Sequence, residues 1–168
     1  MQNSKAYNCF MEQLNATGAK KKDGYYPKLM EEIYDWEREE VEDIIWDAFL
    51  NKKEIELAQF LPKLEKYDGI KVLKESPYLL QIPSEASVEI GKILYEVTGD
   101  EKYLDLIKKN IDMSPETLSY VSILSHCKPC QRLYNILTDI YINNQNNVNR
   151  NTAVMGILYN KGIIKDRD

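Results

Sequence analysis

The segment His126-Cys127-Lys128-Pro129-Cys130 holds the side chains best suited to covalent chemistry. Two thiols spaced as C-x-P-C at a helix start are the arrangement that lowers a thiol pKa in thioredoxin-like redox centres. Pro129 at the first helical position would aim backbone N–H groups toward Cys127. Such a centre also needs a βαβ framework, and no strand ladder surrounds this one. A zinc site would have to bring Cys9 beside His126, Cys127 and Cys130, because the chain has three Cys and one His. A second C-x-x-C or a His pair is missing. The simpler reading is an inter-helix turn with one partly buried thiol. No Gly-rich phosphate loop, G-x-S-x-G or H-E-x-x-H occurs, and His126 has no evident Ser and Asp partners. The sequence therefore points to no catalytic residue, no metal and no cofactor.

Charge placement is the sharper feature. Residues 31–47 carry nine acids, Glu31, Glu32, Asp35, Glu37, Glu39, Glu40, Glu42, Asp43 and Asp47, against one base, Arg38. That window is −8 in a chain whose net charge is −5, so the remainder is +3. At about 100° per residue on a helix, Val41, Ile44, Ile45, Ala48 and Phe49 share one stripe, which reads as the core face. Glu39, Glu42, Asp43 and Asp47 fall opposite, with Trp46 among them. If the helix runs back unbroken, Trp36 joins the same outer face. Interfaces favour Trp anchors inside a charged rim. Trp36, Glu39, Glu42, Asp43, Trp46 and Asp47 are thus the candidate partner-binding residues, for a basic protein steered in by the acidic field. The competing reading is a solvated acidic face, with Trp46 packed under a loop or the N-terminal helix.

Positioning these residues falls to helices. Apolar positions recur at three and four rather than two, which predicts an all-α fold in a single domain over 1–168. The expected elements are an extra N-terminal helix at 5–14, a polar connector at 15–24, a helix starting near Pro27, and helices over 41–50, 55–64, 70–75, 85–97, 101–111, 114–125, 129–143 and 151–160. Ser84 and Asp100 are the expected caps, and Gly99 the expected terminator. An echo runs through the second half. Ile93-Leu94 recurs thirty residues on as Ile123-Leu124, Tyr103-Leu104 as Leu133-Tyr134, and Leu106-Ile107 as Ile136-Leu137. Helix pairs of this kind cannot bury their stripes alone and would stack.

The turn Thr98-Gly99-Asp100-Glu101 between two amphipathic helices, followed by Tyr-Leu, resembles HEAT-type α-helical repeats over roughly residues 42–162. The resemblance implies stacked antiparallel hairpins, a HEAT-like α-solenoid with a less regular N-terminal part. In size, acidity and lack of catalytic residues the chain is similar to bacterial immunity proteins of polymorphic or contact-dependent toxin systems. That likeness implies a non-enzymatic inhibitor that binds a cognate toxin, with a basic nuclease the expected kind. A scaffold or adaptor repeat protein, and a small C-x-P-C thiol enzyme, are the alternatives. The acidic balance argues against direct nucleic-acid or anionic-membrane binding. No apolar run approaches the roughly 20 residues of a membrane helix. With no export signal at the N-terminus and an odd number of cysteines, a reducing cytoplasmic setting is expected.

Overall fold

A computed structural model describes residues 2–17 and 24–164. The fold is all-α, with about 71% of the chain helical. Residues 18–23 of the expected connector lie outside the described residues. The chain forms two compact units, Met1–Leu73 and Lys74–Asp168. The repeat-like stretch 42–162 spans the division, so its first quarter, up to Leu73, belongs with the N-terminal helices rather than with the hairpins.

In the first unit, α1 (Lys5–Leu14) starts at Ser4, whose hydroxyl accepts the Tyr7 N–H at 3.0 Å. It buries Ala6 and Phe10 and packs against the short α2 (Leu29–Glu32). The long α3 (Asp35–Asn51) runs without a break where the apolar stripe alone marked 41–50. Its first turn carries no apolar core residue to announce it. It is set by Asp35 and Glu37, whose charges suit a helix N-terminus, and by Glu37 reaching back to the Tyr34 N–H at 2.9 Å. Val41, Ile45, Ala48 and Phe49 are buried as the stripe predicts, and Ile44 lies at its edge. The stretch Ile55–Lys63 is a 3-10 helix rather than an α-helix. Pro62 supplies no N–H and so weakens an i to i−4 ladder there. This segment packs on α3, with Phe60 edge-on to Tyr25 at 6.4 Å and Tyr25 against Phe10 at 5.8 Å. At Gly69, which opens α4 (Gly69–Glu75), a Cβ would collide with the Leu61 backbone. Only glycine permits that closeness.

In the second unit, a 3-10 turn at Pro77–Leu80 leads into α5 (Glu85–Thr98). Ser84 caps α5 as expected, accepting the Ser87 N–H at 3.1 Å. Gly99, at φ +70°, ends it through a 2.8 Å bond to the Tyr95 carbonyl. Asp100 accepts the Lys102 N–H at 3.1 Å and starts α6 (Lys102–Met113). Helices α7 (Leu118–Ser125), α8 (Gln131–Asn143) and α9 (Asn147–Asn160) follow. Burial repeats with the step of the sequence echo: 90 and 120, 91 and 121, 94 and 124, 95 and 125, 103 and 133, 107 and 137, and 110 and 140 are all buried. The pairing is not a simple repeat, however. α5 pairs with α6, but α8 packs most extensively on α9, and α7 lies against both α5 and α9. Helix α9 starts four residues before the expected 151. Asn146 caps it, accepting the Val148 N–H at 2.8 Å and the Asn149 N–H at 3.3 Å.

Candidate functional site

The acidic window is put to several structural uses. Glu37 is fully buried. One carboxylate oxygen accepts the Ser4 N–H at 2.7 Å and the other the Tyr34 N–H, tying the chain before α1 to the start of α3. Burial pushes the Glu37 pKa up, but hydrogen bonds from the Ser4 side chain and from the Tyr34 and Ser4 backbone outweigh it and hold the group below its ordinary value. A depressed folded-state pKa contributes stability that is complete above the unfolded carboxylate's pKa and is lost as pH falls through the folded one. The stability gap between the natural protein and Glu37→Gln should therefore be largest near neutral pH and shrink steadily below about pH 4.5. Urea melts across that range check it. A gap independent of pH would show that the Glu37 charge contributes nothing.

Glu42 corrects the helix-face reading. It is 1% exposed and does not belong to a rim. Its two oxygens accept the Glu65 N–H, at 3.1 Å each, and one also accepts the Lys66 N–H at 2.8 Å. Arg38 lies 3.6 Å away and also reaches Glu65 at 3.3 Å. The side chain sits at the border of the core stripe, where the loop after the 3-10 segment crosses α3. The unpaired N–H groups of that loop draw the carboxylate inward.

The same loop covers Trp46. The Tyr67 ring stacks on the indole at 4.4 Å with an interplanar angle of 9°. The Tyr67 hydroxyl donates to Asp43 at 2.6 Å. Lys66 donates to Asp43 at 2.7 Å and to Glu39 at 3.2 Å. These contacts hold the Asp43 carboxyl below its usual range, Lys66 first and Tyr67 second, and raise the Lys66 ammonium. Asp47 is likewise held down, by Asn51 and then Lys52. Glu31 pairs with Lys63 at 3.0 Å. Three lysines from outside the window thus return to offset it, and Trp46 is a partly buried partner of Tyr67 rather than a bare anchor.

At the other end of α3 the arrangement differs. Trp36 is 49% exposed and Tyr34 is 51% exposed, with ring centroids 6.2 Å apart and tilted by 34°. Together with Gln2, Ile33 and Asp35 they line an open hollow of about 560 Å³. Asp35 makes no ion pair among the described residues, and Glu39, Glu40, Asp43 and Asp47 continue along the exposed side of α3. Of the six candidate residues, the structure groups Glu39, Asp43 and Trp46 around the 64–68 loop, leaves Asp47 beside Lys52, buries Glu42 and sets Trp36 apart at the helix start. Tyr34 was missed. Its position two residues before Trp36, outside the helix, puts it beyond any helical-face count.

The cysteine turn is built for packing. Cys127 is buried, and burial first, then the Glu96 charge, pushes its thiol up to about 12. Cys130, not Pro129, occupies the helix start, and its sulfur accepts the Leu133 N–H at 3.3 Å. Helix α8 therefore directs that donor at Cys130 and not at Cys127. The turn is fastened to α5, since Lys128 N–H donates to Glu96 at 2.7 Å and the Tyr95 hydroxyl donates to the Lys128 carbonyl at 3.0 Å. At pH 8, Cys127 should react with a disulfide reagent only as fast as its surroundings open, while Cys9 and Cys130 react sooner. Single Cys→Ser variants assign the phases. Fast modification of Cys127 in the folded protein would contradict this picture.

A second concavity, of about 340 Å³, lies beside α6 and α8, where Lys108 is held by Asp112 and by Asp139 at 3.0 Å. Among the described residues, no three His, Cys, Asp or Glu side chains are placed to hold a metal, and no helix is long and apolar enough to cross a membrane. Compared with protein-family models, curated proteins and solved structures, the chain shows no match.

Proposed function

We propose that this chain is a non-enzymatic, protein-binding inhibitor: a cytosolic immunity protein that neutralises a basic bacterial toxin. The nuclease-type toxin remains the favoured partner, because its substrate-binding surface would carry the complementary charge. The observation that carries the reading is the exposed side of α3, where the Tyr34–Trp36 pair borders a row of carboxylates. Large exposed aromatics beside like charges are the composition of an interface rather than of a solvated face. An acidic surface of this kind accelerates encounter with a basic partner and would exclude nucleic acid from it by occupancy.

The test is co-expression with a basic nuclease toxin drawn from the genes neighbouring this one, scored by growth and by binding kinetics. Rescue of growth with saturable binding supports the proposal. Glu39→Lys with Asp47→Lys, both exposed, should slow association about tenfold or more and flatten its dependence on salt. Glu42 is unsuited to such a reversal because it is internal. An unprotected host, or an association rate indifferent to both charge and salt, would sink the inhibitor reading.

A further inference from the structure

We infer that the hollow at the start of α3 takes an arginine side chain from a basic protein segment, its guanidinium against Trp36 and Tyr34 and its charge facing Asp35. This deepens the inhibitor reading and rests on it. Three observations carry the step. The aromatic pair is half exposed, with ring centroids 6.2 Å apart and tilted by 34°, so the rings are not stacked face to face. The hollow is lined by these rings and by Ile33, Gln2 and Asp35, so apolar surface and an acidic residue meet in it. The surrounding charge is negative: Glu32 lies before the hollow in the chain, and Glu39 and Glu40 lie one turn after Trp36 on α3.

Three cations on α3 and on the elements packed against it are already paired. Lys66 is held by Asp43 and Glu39, Lys63 by Glu31, and Arg38 by the Met30 carbonyl at 2.8 Å and by Glu65. By contrast, Trp46 already has its stacking partner in Tyr67 and a cation, Lys66, 5.6 Å from that partner's ring. The two tryptophans of α3 therefore show the same aromatic-acid chemistry, closed internally at 46 and left open at 36.

Arginine is favoured over lysine because a planar, weakly hydrated guanidinium lies flat on an indole while presenting N–H donors to a carboxylate. A purely apolar occupant would leave Asp35 desolvated without a partner, which is costly. A nucleic acid or an anionic lipid would meet a repelling field.

The test uses the full chain and two short capped peptides, one alternating arginine with alanine and one alternating lysine with alanine. In Trp46→Phe protein the remaining tryptophan is Trp36, so its emission reports on the hollow directly. Saturable change with the arginine peptide, and binding roughly threefold or more weaker with the lysine peptide, is expected. Calorimetry on Trp36→Ala and Asp35→Asn, each otherwise unchanged, should show a similar or larger loss and needs no fluorescence. Equal affinity for the two peptides, or full affinity in Trp36→Ala, overturns the inference. Should Trp46→Phe not fold, the calorimetric arm decides alone. Toxin affinity unchanged in Trp36→Ala overturns the arginine hollow and leaves the inhibitor reading standing. Arginine-peptide binding by a chain that neutralises no toxin does the reverse.

Discussion

Glu42→Ala is expected to destabilise the protein by about 2–3 kcal/mol, the larger cost of leaving buried donors unmet around a lost charge. For a chain of this size that corresponds to a fall in melting temperature of roughly 6–10 °C. The cost arises in the loop rather than in the helix. Glu42 accepts the N–H groups of Glu65 and Lys66, and among the described residues neither donor has another acceptor. Losing it also frees the loop that carries Lys66 onto Asp43 and Tyr67 onto Trp46. Glu42→Gln keeps one oxygen acceptor and should fall between the two proteins. Glu39→Ala, one turn away and exposed, is the control, because a surface ion pair contributes about 0–1 kcal/mol. Thermal melts of the three variants decide the matter. Equal losses at 39 and 42 would mean that the buried carboxylate does no more than a surface one.

How much of this was legible in the sequence depends on the kind of signal. Helices whose apolar spacing and caps agree were placed well. Ser84, Gly99 and Asp100 bound α5 and α6 with their own side chains or backbone conformation, and each acts within four residues of itself. The thirty-residue echo was equally local, and burial repeats with it. The partnership of α8 with α9 was not legible, because periodicity tells which face of a helix is covered and not by what. The early start of α9 was hidden in the run Asn143 to Asn151. Asn146 caps the helix, and Asn149 donates to the Pro115 carbonyl at 2.6 Å. Polar caps and a buried amide look like a loop until their acceptors are known.

The site shows the same division. Trp36 and the exposed acids of α3 follow from helical angles once the helix is known to reach back to Asp35. The fates of Glu42 and Trp46 do not, because both are decided by residues 64–68, more than a dozen positions away. Glu42 lies only about 70° from the centre of the buried stripe on a helical wheel. At that angle the neighbouring element determines whether a carboxylate meets water or backbone donors. No motif announces such a loop. A residue count of acids cannot separate Glu37 and Glu42, which hold the unit together, from Glu39 and Asp47, which face outward.

The two tryptophans of α3 should consequently part company under mutation. Trp36→Ala is expected to leave the free protein within about 0.5 kcal/mol of its natural stability, as for a surface residue whose aromatic neighbour, Tyr34, is itself half exposed. It should cost about 2 kcal/mol or more in complex with a basic toxin, a roughly thirtyfold faster dissociation, if Trp36 is the anchor inside the acidic rim. Trp46→Ala should behave the other way. It removes a stack worth about 0.5–1.5 kcal/mol beyond the area it covers and uncovers Tyr67, so its loss appears in the melting of the free protein. Its effect on dissociation should be small, since Tyr67 already occupies the indole face at 4.4 Å. Measuring both variants by thermal melts and by surface binding kinetics gives four numbers with a definite pattern. Fast dissociation and an unchanged melt in Trp46→Ala would return the anchor to position 46 and would mean that the Tyr67 stack opens when the partner docks.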